Sequence, residues 1–274
     1  MATEQAVYTH GHTAAVLRSH TWRTAQNSAA YLLPYLTAKP TATVLDIGCG
    51  PGTITADFAS LIPQGHITAL DFSEDVIQKA QMYAKEKGVV ANMSFERGDA
   101  HALPFPDDTF DITHAHQVLQ HVTNPVQVLR EMRRVTKPGG IVATRETDFA
   151  GMIWYPESPG MTRWAETYAR VARANGGEPN SGRRLLAWAR QAGFDPAKVT
   201  CTSSCWCYAT PEEREWWGGL WAERLLKSDF YPTAIKNGIA TEEEIQGLSE
   251  AWVKWAESED AWFSVPHGEI IAIV

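Results

Sequence analysis

The 274-residue chain has no Lys/Arg-rich run and only four cysteines, and no apolar stretch in it approaches the roughly 18–20 residues that span a bilayer. Each shortage excludes something. Lys and Arg total 24 against 32 Asp and Glu, a net charge of -8 that repels a phosphate backbone, so nucleic acid is not expected as a partner. Residues 1–10 lack the basic and apolar regions of a secretory signal; with no span, the reading is a soluble, cytoplasmic chain without stable membrane insertion. Cys201, Cys205 and Cys207 share one face of an extended segment and have no His at finger-like spacing. They read as packed thiols, and no metal is expected.

What is present is ordinary globular material, 44% hydrophobic and 20% charged, in which short β-branched runs alternate with amphipathic stretches. Strands are expected at 43–47, 66–70, 93–96, 110–116 and 141–146, and helices at 53–61, 73–87 and 124–136. Ser73 reads as the N-cap of the second helix and Asn124 as that of the third, with Pro125 in its first turn; Lys137-Pro138-Gly139-Gly140 reads as a turn. Such alternation specifies a doubly wound parallel sheet with ligands at the carboxyl ends of its strands. Beyond Glu146 come ten of the eleven tryptophans. Strands at 199–208 and 268–274, with a helix at 183–192 between the cap and the first of them, complete a Rossmann-like, mostly parallel seven-stranded α/β sheet. The expected organisation is a helical lid over 1–40, a ligand-binding core over 41–146, and a completion of the sheet over 147–274 with helical cap insertions at 147–182 and 209–266.

The loop Asp46-Ile47-Gly48-Cys49-Gly50-Pro51-Gly52 joins the first strand to the first helix. Glycines let the backbone bend and approach a ligand, but dinucleotide enzymes have such loops too. Three features argue against a pyrophosphate. The spacing G-x-G-x-G is one residue short of the dinucleotide pattern. Pro51 removes an N–H. Asp46 places a carboxylate beside the loop, where it repels phosphate and attracts the ammonium of a bound amino acid, directly or through water. Asp71, at the end of the second strand, suits two ribose hydroxyls, and Asp99, after the third, suits an adenine amine. Amino acid, ribose and adenine together describe S-adenosylmethionine.

The stretches 44–52, Ala69-Leu70-Asp71, 98–105 with Phe110-Asp111, 116–121, and Pro138-Gly139-Gly140 resemble those of the UbiE/COQ5-like class I methyltransferases. That resemblance implies that the loop with Gly48, Cys49, Gly50 and Gly52 cradles the methionine part. It also implies that Asp71 holds the ribose beside Phe72, Asp99 and Ala100 frame the adenine, and Gln117 lies against the cofactor. The segment His20-Thr21-Trp22-Arg23 resembles the family's amino-terminal lid, where Arg23 pairs with the methionine carboxylate.

Methyl transfer from a sulfonium needs the acceptor held in line and water excluded; a base is optional. His116, near the end of the fourth strand, and His20, in the lid, are the candidate bases, ahead of His114, His121 and His267. His121 is expected to anchor a turn. The aromatic-rich cap suits a flat acceptor, with Trp154 and Tyr155 best placed to meet it. The expected reaction is O- or N-methylation of a small aromatic or heteroaromatic acceptor, in secondary metabolism, by a monomer or homodimer. Two alternatives remain: a C-methyltransferase acting on a quinone-like substrate, and a scaffold that binds the cofactor without transferring methyl. Pro51 and the short glycine spacing oppose a third, an NAD-dependent oxidoreductase. No Asn/Asp-Pro-Pro-Tyr/Phe element follows the fourth strand, where Gln117-Val118-Leu119-Gln120 stands instead, which also argues against nucleic-acid methylation.

Overall fold

A computed structural model describes residues 21–274. β1 (Thr43–Ile47) lies inside a sheet ordered β3 (Met93–Arg97), β2 (His66–Asp71), β1, β4 (Phe110–His116), β5 (Thr136–Thr147), β8 (Trp262–Ile273). The first five run parallel, while β8 is antiparallel to β5 and, on its other edge, to β7 (Val199–Tyr208). A three-residue strand, β6 (Ile153–Tyr155), follows β5 along the same edge of β8.

The sheet is covered on both faces, so its central strands are buried along nearly their whole length. Val44, Ile67, Ile112, Ala143 and Ile271 meet α1 (Ala25–Ser28), α2 (Leu33–Ala38) and α3 (Thr53–Leu61). On the opposite face Leu45, Ala115, Val142 and Ile270 meet α5 (Pro125–Val135) and α7 (Leu185–Gln191). α4 (Glu74–Lys87) packs Ile77 and Ala80 against Ala69 of β2. A separate aromatic core joins α6 (Pro159–Ala174), α8 (Pro211–Lys227), α9 (Phe230–Lys236) and α10 (Glu242–Glu257) to Phe263 and Val265 of β8. Trp164, Trp221 and Trp252 are each essentially fully buried there. No helix among the described residues is long and apolar enough to cross a membrane.

The structure departs from the expected elements in four places. The Pro138-Gly139-Gly140 turn is part of β5, which continues from Thr136 through a register irregularity opposite Phe110 and Ile112. β8 begins at Trp262, not 268, because Pro266 falls in the interval where β6 gives way to β5 as its neighbour. The expected lid helix is two short helices, the second opened by Pro34. Ser73 makes no side-chain cap; its N–H instead donates to Asp71 Oδ1 at 3.0 Å. Asn124 does cap α5, accepting from the Gln127 N–H at 3.0 Å.

Candidate active site at the carboxyl ends of the strands

The glycine loop is hung from β2. The N–H groups of Gly48 and Cys49 donate to the Leu70 carbonyl at 2.7 and 3.0 Å, and the Gly50 N–H donates to Asp71 Oδ2 at 3.1 Å. Gly48, Gly50 and Gly52 all have positive φ, 66°, 56° and 81°, but for different reasons. A Cβ on Gly48 would stand 2.4 Å from Val118 Cγ2, and one on Gly52 2.9 Å from Ala80 Cβ; one on Gly50 would meet nothing within 4 Å. Two of these glycines serve packing, and the middle one leaves the backbone bare toward open space. Cys49 is buried, and burial raises its thiol pKa well above the ordinary value.

Asp71 thus braces two loops, with one oxygen on each. Phe72, half exposed, stands next to it under the Arg97 guanidinium, 5.8 Å from the ring centre. Asp99, half exposed beside the partly buried Ala100, accepts from the His101 N–H and ring Nδ1 at 2.9 and 2.8 Å. Partial burial works to raise its pKa, but these bonds prevail and hold it below the usual carboxylate range. Two carboxylates that can accept hydrogen bonds, Asp71 and Asp99, therefore flank an open glycine cradle, an arrangement that fits the hydroxyl and amine groups of S-adenosylmethionine. Asp46 is a correction. Its carboxylate is buried between His114 Nδ1 at 2.8 Å and Thr55 Oγ1 at 2.5 Å, so it fastens β1 to β4 and α3 instead of presenting an oxygen to a ligand amine.

At the end of β4 the chain turns through Gln117, whose φ of +54° is unusual for a residue with a side chain. Its amide is held on both sides: Oε1 accepts from Arg23 Nη2 at 2.7 Å, while Nε2 contacts Thr147 Oγ1 at 2.7 Å and His267 Nε2 at 3.0 Å. The following turn is hooked on Glu146, whose carboxylate accepts the N–H groups of Val118, Leu119 and Gln120 at 2.9, 2.8 and 3.1 Å. Burial pushes the Glu146 pKa up to about 8, against the pull of these three donors.

A narrow cavity opens beyond Gln117, walled by Trp22, Trp206, Tyr208, Trp216, Trp217 and Trp221, with Arg23, Gln120, His121 and Arg224 among its polar residues. Trp22 meets Trp206 edge-on at 5.4 Å and Trp216 at 5.4 Å, and Tyr208 stacks on Trp217 at 4.3 Å. Alternation along β7 delivers Trp206 and Tyr208 to this side and leaves Cys201, Cys205 and Cys207 exposed.

The expected residues divide accordingly. Arg23 and Gln117 stand together at the cavity, while Trp154 and Tyr155 do not line it. β6 carries this pair past the end of β5, where Trp154 stacks on Phe263 at 5.9 Å and Tyr155 is 56% exposed. His116 is buried next to Trp206 but is not among the lining residues. Neither ring nitrogen has a partner among the described residues, and burial, aided by Arg23 and Arg145, pushes its pKa well below the ordinary value. His20 lies outside the described residues. His121 ends the short 3-10 turn Leu119–His121 and also lines the cavity; burial lowers its pKa to about 3. Glu146, Trp206 and Arg224 were not singled out by motif. The period-two pattern of 199–208 was the available signal for Trp206.

The family described as "Methyltransferase domain" matches residues 38–231. An uncharacterized methyltransferase of Schizosaccharomyces pombe is 35% identical over 277 residues, covering 98% of this chain and 97% of its own length. The ubiquinone/menaquinone biosynthesis C-methyltransferase UbiE of Vibrio campbellii is 38% identical over 104 residues, 38% of this chain and 40% of its own. Among solved structures, a Haemonchus contortus phosphoethanolamine N-methyltransferase 2, in complex with phosphomonomethylethanolamine and S-adenosylhomocysteine, superposes with a TM-score of 0.56 at 18% identity. That match covers 90% of this chain and 52% of the other. On its glycine cradle, its acidic strand ends and these likenesses, the chain belongs to the methyltransferase-domain family and is an S-adenosylmethionine-dependent class I methyltransferase.

Proposed function

We propose that the enzyme methylates an oxygen or nitrogen atom of a small, flat aromatic or heteroaromatic molecule. The observation that carries this reading is the cavity wall of indole and phenol rings adjoining Gln117, since such rings bury a flat acceptor through offset and edge contacts. In this reading the 48–52 loop takes the methionine part of the cofactor, with Gly50 at closest approach, and Arg23, oriented by Gln117, takes its carboxylate. Asp71, with Phe72 beside it, holds the ribose; Asp99 and Ala100 frame the adenine. When bound, the cofactor supplies a methyl group on a sulfonium, which is an excellent leaving group. The chain's own work is to orient the acceptor and exclude water, for which an enclosed aromatic wall is suited. Burial keeps His116 and His121 neutral and weakly basic, so in this reading neither of these two rings is a strong general base.

The test is incubation with methyl-labelled S-adenosylmethionine and a panel of phenols, aromatic amines and quinones, with products assigned by NMR. O- or N-methyl aromatic products are expected. A C-methylated quinone, or transfer to non-aromatic acceptors alone, would reject the reading.

The same geometry separates two tryptophans. Trp154→Ala is expected to cost about 3 kcal/mol of stability by emptying space against Phe263 and Trp164, with acceptor KM little changed. Trp216→Ala, at the cavity wall, is expected to raise acceptor KM about tenfold through lost ring contact. Urea denaturation and steady-state kinetics measure both, and an equal KM effect at the two positions would contradict the placement of the wall.

A further inference from the structure

We infer that His267 is a positioning residue: by accepting a hydrogen bond at Nε2 it fixes which way the Gln117 amide faces, and through that amide it sets the Arg23 guanidinium. This rests on the reading that Arg23 takes the cofactor's carboxylate, and adds the residue that holds it in register. The direction of the amide follows from its neighbours. A guanidinium can only donate, so the atom of Gln117 that meets Arg23 Nη2 at 2.7 Å is Oε1. Nε2 then faces Thr147 Oγ1 at 2.7 Å and His267 Nε2 at 3.0 Å. Thr147 and His267 stand directly opposite each other on β5 and β8, so one cross-strand pair forms the seat of the amide nitrogen. Each of its two protons needs an acceptor, and His267 supplies one only while its Nε2 is bare.

The surroundings of the ring bear on where its proton sits. His267 is fully buried, with the Trp206 ring edge-on at 4.4 Å, and Trp206 Nε1 is itself tied to the Asn27 carbonyl of α1 at 2.7 Å. Burial, aided by Arg145 and Arg23, lowers the ring's pKa well below the ordinary value, so it is neutral and carries one proton. Arg145 Nη2, 3.0 Å from Nδ1, favours that proton on Nε2. Such a tautomer would offer a donor to Gln117, draw Oε1 round to His267 and turn the amide's NH2 group on Arg23, donor against donor. The balance falls on Nδ1 for two reasons. Arg145 is already engaged through Nε, by Glu269 Oε1 at 3.2 Å and Ser204 Oγ at 3.1 Å. The ring also hydrogen-bonds to the backbone of Val265 and Ser204, and with Nε2 on the amide the group that serves them is Nδ1–H.

The first measurement needs no variant. In the full chain, isotope-labelled at the histidine nitrogens and saturated with S-adenosylhomocysteine, the NMR shifts of His267, assigned through its contact with the Trp206 ring, are expected to show a proton on Nδ1 and a bare Nε2. A proton on Nε2, or on both nitrogens, overturns the inference. Calorimetric titration with S-adenosylhomocysteine reads the consequence. His267→Leu, which fills the site without an acceptor, is expected to weaken binding about tenfold. His267→Gln, whose amide oxygen can stand in for Nε2, is expected to stay within about threefold of wild type. In a Gln117→Leu background His267→Leu is expected to cost nothing further, because the residue acts through that amide. Equal losses in the Leu and Gln variants, or an undiminished loss in the Gln117→Leu background, would mark His267 as packing alone and overturn the inference. Arg23→Ala separates the two readings. Loss of affinity there beside none in His267→Leu overturns this inference alone; no loss there overturns the carboxylate reading and the inference with it.

Discussion

Gly50→Val is expected to weaken S-adenosylmethionine binding at least about 100-fold while leaving the chain folded, because its side chain would occupy the cradle and not the core. The φ of +56° imposes a strain of about 1–2 kcal/mol on any L side chain, within the 5–15 kcal/mol of stability typical of a domain. Nothing stands within 4 Å of the position a Cβ would take, so the added atoms project into the space assigned to the cofactor. Gly48→Ala is the counterpart. Its Cβ would lie 2.4 Å from Val118 Cγ2 with φ at +66°, so overpacking costs about 1–3 kcal/mol beyond the strain and the loss appears in folding. Calorimetry for cofactor affinity and urea titration for stability separate the two variants. Cofactor affinity of Gly50→Val within threefold of the wild-type value would remove Gly50 from the site.

The contrast between these glycines shows what the sequence can and cannot say. The motif announces a strand–loop–helix turn with three backbone positions closed to side chains, and β1, α3 and three positive φ values follow. Which glycine faces a ligand and which a neighbouring side chain depends on Val118 and Ala80, and local pattern does not record contacts so distant in the chain. Asp46 shows the same limit. A carboxylate at a strand end reads as a ligand group, yet His114, the residue opposite it on β4, and Thr55, in the first turn of α3, each bond one of its oxygens.

The core was legible because each of its elements carries its own periodicity, whereas the cap was not because its elements bury one another. A tryptophan at i, i+4 spacing is a core residue by pattern, and Trp217 and Trp221 are both buried. They are also cavity wall, because the aromatic core reaches the ends of the strands through Trp206 and Tyr208. Nearness in sequence to the end of β5 points to Trp154 and Tyr155, but the short pairing of β6 with β8 leads them away from the cavity. Sequence proximity to a strand end positions a residue only when the chain turns there. Here it continues along the same edge.

Glu146 is where fold and site meet, and its removal carries the second large expected effect. Glu146→Ala leaves the N–H groups of Val118, Leu119 and Gln120 without the carboxylate that accepts them, a loss of about 3 kcal/mol or more. Methyl transfer is expected to fall at least about 100-fold as the turn carrying Gln117, Gln120 and His121 loosens, by the sensitivity of transfer to alignment. The charge state has its own signature. Burial raises the folded-state pKa to about 8 from an ordinary 4.5, so the folded chain holds a proton that the unfolded chain releases above about 4.5. This contribution is complete below the unfolded value and is lost as pH rises through the folded one. Wild-type stability is therefore expected to fall by on the order of 2 kcal/mol between pH 6 and pH 9 through this group. Glu146→Gln carries no titratable proton; it is expected to lose about 1 kcal/mol at pH 6, where its amide cannot accept from all three N–H groups, and to lack the decline toward pH 9. Urea titrations of both proteins across this range decide the matter. Parallel curves for wild type and Glu146→Gln would mean that the carboxylate is ionised throughout, held so by its three donors, and would transfer the pH dependence to another group.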